Sequence, residues 1–283
     1  MPHGLRTVSG RLAVVTGAAS GIGRATAQEL AKRGAALALC DLDEVGLERT
    51  NQELRGVANR VFVQRVDVTD EAEVRGFAAD VQRELGVADL VVNSAGIVVA
   101  GPFLETPLAD WDRLLDVNLK GSVRVCRAFL PAMVTRGRGG YVVNIASAAA
   151  FTTIANLSAY GASKHALMGL CQGLTEEFFR HRIGVSLICP GFVDTPIAKH
   201  AELRGARDVD AERERIARFL RARGLTAARV AERIVNAAER GQAIVTVGIE
   251  ARALRTLSRV APSALPFLMV GGRRLASWLS GRG

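Results

Sequence analysis

Cysteine and histidine are scarce in this chain, four of each in 283 residues. Cys40, Cys126, Cys171 and Cys189 form no C-x-x-C pair, and His3, His165, His181 and His200 have no metal-ligand spacing. A disulfide framework or a zinc site is therefore not expected, and no metal is assigned. The cysteines read as small buried hydrophobes, two in strands and two in helices. Long apolar runs are missing too: none reaches the ~20 residues of a bilayer-spanning helix. Met1 to Gly10 has no apolar stretch of the kind a secretory signal carries, so a cytoplasmic protein is expected. Linkers, repeats and low-complexity tracts are absent. Acidic residues are absent from 251–283, where six arginines account for six of the nine net positive charges. The rest of the chain shows no basic stripe with interleaved aromatics, which argues against a nucleic-acid partner.

What remains is 49% hydrophobic and 23% charged, enough to build a sizeable core. Arg11 to Val15 is a short apolar run closed by Thr16-Gly17-Ala18-Ala19-Ser20-Gly21-Ile22-Gly23, and a helical pattern follows from Arg24 to about Arg33. Strand, glycine turn and helix start favour an anion, because free backbone N–H groups and the helix dipole face it. Gly17, Gly21 and Gly23 permit the turn and the close approach of phosphate, although such a turn also serves merely to connect elements. The next run, Ala36 to Cys40, ends at Asp41, some twenty residues past the glycines. A carboxylate there is placed to bond a ribose diol and would repel a 2′-phosphate. Neither Ser20 nor Leu42 offers the cation that a 2′-phosphate needs, so NAD(H) is preferred over NADP(H). The alternative is that Asp41 caps the helix that begins near Asp43.

Further strands are expected at Arg60–Val66, Asp89–Val92, Tyr141–Ile145, Val185–Cys189 and Ala243–Val247. Between them lie helices over about Asp70–Leu85, one long helix from Leu108 to about Arg136, and another from about Leu157 to His181. This alternation specifies an α/β fold: a Rossmann-like doubly wound sheet of seven mostly parallel strands with helices on both faces. Residues 1–250 are expected to form one domain, with a lid over about 193–225, and 251–283 a basic and apolar C-terminal extension that is helical.

The chemistry centres on Tyr160 and Lys164, four apart and so on one helix face. An ammonium beside a phenol stabilises phenolate, which would lower the phenol's pKa from about 10 and suit it to acid/base work. A packed ring beside a solvated charge is the plainer reading of the pair. Ser147 ends the fifth strand and would project from the carboxyl edge of the sheet, where open α/β folds bind ligands. Asn118, inside the long helix, has no importance that spacing reveals.

Taken in order, Thr16-Gly17-x-x-x-Gly21-x-Gly23, Asp67, Asn93-Ser94-Ala95-Gly96, Asn118, Ser147, Tyr160-x-x-x-Lys164 and Pro190-Gly191 with Thr195 resemble the short-chain dehydrogenase/reductase (SDR) family over about residues 8–248. The resemblance implies an oxidoreductase with Tyr160 as general acid/base. Ser147 would bond the substrate oxygen, and Lys164 would bind the nicotinamide ribose and depress the Tyr160 pKa. Asn118 would position a relay water. It also implies dinucleotide contacts from Ser20, Ile22, Asp67, Val68, Asn93, Ala95, Gly96, Pro190, Gly191, Val193 and Thr195, and selection of NAD by the position of Asp41. A dimer through the helices carrying Asn118 and Tyr160 is the family expectation. The family's tetramer is built by a glycine-rich close, which this longer C-terminus replaces, so the oligomer is left as homodimer or homotetramer.

Apolar loop residues Phe151, Ile154, Leu157, Phe192 and Ile197 point to a lipophilic secondary alcohol or ketone that is steroid-, terpenoid- or lipid-like. An NADPH-dependent 3-oxoacyl reductase and a non-catalytic dinucleotide sensor are the alternatives. The tail reads first as a helix docked on the body or a partner subunit; contact with anionic lipid is the other reading.

Overall fold

The computed structural model describes residues 3–198 and 200–264, together with Phe267 and Val270. Strands β1 (Leu12–Thr16), β4 (Leu90–Asn93), β5 (Gly140–Ile145) and β6 (Ile183–Pro190) are buried at every position, which is why they read as continuous apolar runs. With β2 (Ala36–Asp41), β3 (Val61–Arg65) and β7 (Ile244–Val247) they form a seven-stranded parallel sheet in the order β7-β6-β5-β4-β1-β2-β3. The order reverses between β1 and β4, so the crevice at their carboxyl ends is the natural ligand site of this topology.

Alternation along each strand divides the core between the two faces. Val15, Leu37 and Leu39 pack with helices α1 (Gly21–Lys32), α2 (Glu44–Leu54) and a later helix bearing Val230 and Ile234. Val14, Ala38 and Cys40 face the opposite layer. That layer is made by α3 (Glu71–Glu84), α5 (Ser122–Arg136) and α6 (Ser158–Phe178), with α4 (Leu108–Leu115) leading into α5. Phe77 of α3 meets the edge of Phe129 of α5 at 5.8 Å between ring centroids. Burying one such ring contributes roughly 1.5–3 kcal/mol.

Three differences from the expected elements bear on the site. Helix α1 starts at Gly21, not Arg24, so the last two glycines lie inside its first turn. The long helix expected from Leu108 to Arg136 is interrupted: residues Asp116–Gly121 form a π-helical turn between α4 and α5. The lid holds a helix of its own, α7 (Val209–Arg223), followed by α8 (Ala227–Arg240), neither of which the periodicity had suggested. The chain continues past β7 into α9 (Ile249–Val260). The rest of the expected helical extension, apart from a few positions, lies outside the described residues. No helix among the described residues is long and apolar enough to cross a membrane.

Candidate active site

At the exit of β1, Gly17 turns back with φ +67° and lies so close to β4 that an added Cβ would stand 2.7 Å from the Ala95 nitrogen. A side chain at Gly23 would overlap the Gly17 carbonyl. The Thr16 hydroxyl accepts from the N–H groups of Ser94 (3.1 Å) and Ala95 (3.2 Å), tying the two strand ends together. Ser20 is the N-cap of α1 but makes no side-chain capping bond. The first-turn N–H groups of Gly21, Ile22 and Gly23 are thus left to the cleft, and this uncapped cradle fits the pyrophosphate of a dinucleotide.

Asp41 lies at the tip of β2 and serves two local purposes. Its Oδ2 accepts from the Ala19 N–H at 2.8 Å, bracing the glycine loop, and its Oδ1 accepts from the Asp43 N–H at 3.0 Å. The capping of α2 belongs to Asp43, whose carboxylate accepts from the Gly46 N–H at 3.0 Å. Asp41, Leu42 and Asp43 line the cleft with no basic side chain among them. Asp67 bonds the Thr69 N–H (2.8 Å) and hydroxyl (2.7 Å), which shapes the turn after β3.

The cleft has a volume of about 1710 Å³. Its walls include Gly17, Ser20, Gly21, Ile22, Gly23, Asp41, Asp67, Val68, Ala95, Gly96, Ser147, Tyr160, Lys164, Pro190, Gly191, Val193 and Thr195, all singled out from the sequence. Asn93 and Asn118 do not line it. Asn93 is buried within the sheet, its Nδ2 donating to Asn144 Oδ1 at 2.8 Å across β4 and β5, while its Oδ1 has no hydrogen-bond partner. Asn118 sits in the π-helical turn, buried, accepting from the Ile97 N–H at 2.8 Å. Its Nδ2 donates to Ser163 Oγ at 3.0 Å, and Ser163 donates in turn to the Tyr160 carbonyl at 2.7 Å. Asn118 therefore couples the exit of β4 to the first turns of α6, and the π turn aims it there. Ser163, three residues past Tyr160 and next to Lys164, escapes the sequence reading.

Ser147 closes the β5 exit, its Oγ accepting from the Ala149 N–H at 3.1 Å. Its hydroxyl, on the same wall of the cleft as Tyr160, pulls the phenol's pKa down. Burial outweighs that pull and pushes the phenol above its ordinary value. The expected depression of Tyr160 by Lys164 is thus not the net result. Removal from water penalises phenolate, and a four-residue spacing says nothing of that burial. The Lys164 ammonium stands 5.6 Å from the Tyr160 ring centroid and donates to the Ile145 carbonyl at 3.1 Å. Burial pushes its pKa down to about 8. A Cβ added at Gly96 would lie 3.2 Å from Asn118 Oδ1, tight enough that the amide would have to shift, so glycine leaves Asn118 undisturbed.

Above the cleft the lid is held at both ends. At its base Val193–Asp194 pairs with Leu225–Thr226, and the Phe192 N–H donates to Glu250 Oε1 of α9 at 3.1 Å. Phe192 and Phe219 of α7 meet edge to face at 5.1 Å. Farther out, Glu202–Leu203 pairs with Val99–Ala100. There Arg204 forms a bidentate pair with buried Asp110 of α4, at 2.7 and 3.0 Å. These anchors join residues far apart in sequence, and no local motif marks them. The four cysteines are free and buried, and burial raises Cys126, Cys171 and Cys189 to about 12, so they are thiols and not nucleophiles at neutral pH.

The family model for short chain dehydrogenases matches residues 11–204. The probable oxidoreductase EphD of Mycobacterium tuberculosis is 41% identical over 258 residues, 90% of this chain but only 44% of that protein, so the chain spans under half of that relative's length. The 1-deoxy-11-beta-hydroxypentalenate dehydrogenase of Streptomyces exfoliatus is 38% identical over 67% of this chain and 70% of its own. A crystal structure of a short chain dehydrogenase/reductase from Burkholderia phymatum in complex with NAD superposes with a TM-score of 0.83 at 30% identity, covering 92% of this chain and 95% of that one. The parallel sheet, its uncapped glycine turn and the Ser147–Tyr160–Lys164 cluster agree with these likenesses, and the chain belongs to the short-chain dehydrogenase/reductase family.

Proposed function

We propose that this oxidoreductase interconverts a secondary alcohol and a ketone with NAD(H), on a lipophilic, steroid-, terpenoid- or lipid-like substrate. The observation that carries the reading is that Ser147, Tyr160 and Lys164 line the same cleft as the uncapped glycine loop. When bound, the nicotinamide supplies or accepts a hydride. The chain's own residues handle the proton and the geometry. Ser147 orients the substrate oxygen beside the Tyr160 hydroxyl. Tyr160, kept protonated by burial, gives its proton to a carbonyl oxygen in reduction and takes it back in oxidation. Lys164, held by the Ile145 carbonyl, keeps positive charge beside the phenol. Asn118 and Ser163 hold the first turns of α6 in register with β4. Residues 1–250 act as the catalytic unit, with the lid over about 193–225 and 251–283 as an extension.

Asp41 supports NAD(H), since a carboxylate at the tip of β2 can bond a ribose diol and repels a 2′-phosphate. Ile154, Leu157, Phe192, Ile197 and Phe219 support an apolar substrate, as does the terpenoid acid named for the Streptomyces relative. The test is NADH formation at 340 nm from NAD+ with a panel of apolar secondary alcohols and, for contrast, small polyols. Turnover of apolar alcohols that falls at least about 100-fold in Tyr160→Phe is expected. Turnover of polyols alone, or an unimpaired Tyr160→Phe, would refute it.

A further inference from the structure

The amino ends of the strands carry a second concavity, on the sheet edge opposite the cleft. Arg11 leads into β1, Asp89 into β4, Gly139 into β5 and Arg182 into β6, and these four strands are neighbours in the sheet. With Arg6 and Arg138 they line a pocket of about 330 Å³.

Its charge is one-sided. Four arginines, at 6, 11, 138 and 182, face Asp89 as the single lining carboxylate. That carboxylate is already engaged by the Leu12 N–H (3.0 Å), Arg11 (3.4 Å) and Arg136 (3.0 Å). Among the described residues, Arg6 and Arg138 have no carboxylate partner. Arg182 commits one donor to the Gly137 carbonyl at 2.6 Å and keeps the rest of its fork. Arg136, which donates to the Gly139 carbonyl at 2.9 Å, has a buried Nε without a hydrogen-bond partner.

The backbone is a separate observation. Among the described residues, three non-glycine positions have left-handed φ, namely Arg6 (64°), Asn156 (68°) and Arg182 (56°), and two of them line this pocket. Glycine is the residue such positions favour, and Arg182 follows the turn Phe179–His181 where a glycine cap is usual. Non-glycine residues held in the left-handed region cluster at ligand clamps and other functional sites.

We propose that this pocket binds a small, soluble phosphate-bearing anion, at a site separate from the cleft. Guanidinium forks match phosphate oxygens in pairs, and the volume suits a group of the size of pyrophosphate. The assignment holds whichever reaction the cleft performs.

Calorimetric titration of sodium pyrophosphate at constant ionic strength tests it, comparing wild type with the double variant Arg138→Ser, Arg182→Gly and with Arg6→Gly. Glycine suits the backbone at both left-handed positions, so these variants keep the fold, and thermal midpoints check that they do. The glycine loop is unchanged in all of them, so any binding there is common to every titration. The expected result is a wild-type binding component that weakens at least tenfold in the double variant and severalfold in Arg6→Gly. Superimposable isotherms would overturn the proposal. So would a wild type that ignores pyrophosphate yet co-sediments with phosphatidic-acid vesicles, which would assign the arginines to a lipid headgroup.

Discussion

Replacing Lys164 by methionine should stabilise the protein while disabling it. Lys164 is 5% exposed, and burial lowers its pKa from 10.5 to about 8. At 1.36 kcal/mol per pKa unit, holding the ammonium in the folded state at neutral pH costs about 3 kcal/mol. Methionine has similar length and no charge, but it forfeits the bond to the Ile145 carbonyl, a loss of about 1 kcal/mol. The net expectation is a gain of about 2 kcal/mol at pH 7, read as a higher urea midpoint at unchanged slope. The pH dependence follows from linkage. The folded pKa lies below the unfolded one, so between about pH 8 and 10.5 the unfolded chain holds the extra proton and wild-type stability rises with pH. By pH 9 the wild type should recover roughly 1 kcal/mol of the deficit, narrowing the gap. Activity of Lys164→Met should fall by about 100-fold or more, the usual trade of stability for function at a strained site. A variant less stable than wild type at pH 7, or a gap that does not change between pH 7 and 9, would refute the reasoning.

Gly23→Ala should push its Cβ into the Gly17 carbonyl, cost roughly 1–3 kcal/mol in urea unfolding and weaken NADH binding by more than tenfold in a fluorescence titration. Asp110→Ala should release Arg204 from α4, leaving it only Glu202, and loosen the outer anchor of the lid, read as severalfold faster trypsin cleavage after Arg204 and Arg207; an unchanged cleavage rate would count against the anchor. The Arg204 guanidinium holds the Asp110 carboxyl below its ordinary value, so in wild type the same loosening should set in only as pH falls below the ordinary carboxylate pKa of about 3.8. Glu250→Met should remove the acceptor of the Phe192 N–H and raise KM for the alcohol severalfold with kcat little changed, while Glu250→Gln restores wild-type KM.

How much of this was legible in the sequence depends on how local each feature is. The strands were plain because burial on both faces leaves an uninterrupted apolar run, as in Leu12–Thr16 and Leu90–Asn93. Gly17, Gly21, Gly23, Tyr160 and Lys164 are plain because their relation is one of short spacing within a turn or along one helix face, and Asp41 because it ends the next apolar run. Asn118 was opaque because a π-helical turn, not helical periodicity, directs it to Ile97 and Ser163. Tyr160 was misjudged in sign because the spacing shows the ammonium but not the burial that opposes it. The lid helix Val209–Arg223 has few apolar positions and so a faint stripe, with Ala217 and Leu220 its buried residues. Glu250 and Arg204 act on residues 58 and 94 positions away, beyond any local pattern.

The central claim, a cleft built for NAD(H), is tested most directly by titrating wild type and Asp41→Asn with NADH and NADPH and following nicotinamide fluorescence. Asparagine keeps an acceptor for the Ala19 N–H while it removes the charge and gives up the bond from the Asp43 N–H. Wild type is expected to bind NADH at least about tenfold more tightly than NADPH, a difference of roughly 1.4 kcal/mol, and the preference to shrink in the variant. Tighter binding of NADPH by wild type, or a preference that Asp41→Asn leaves unchanged, would contradict it.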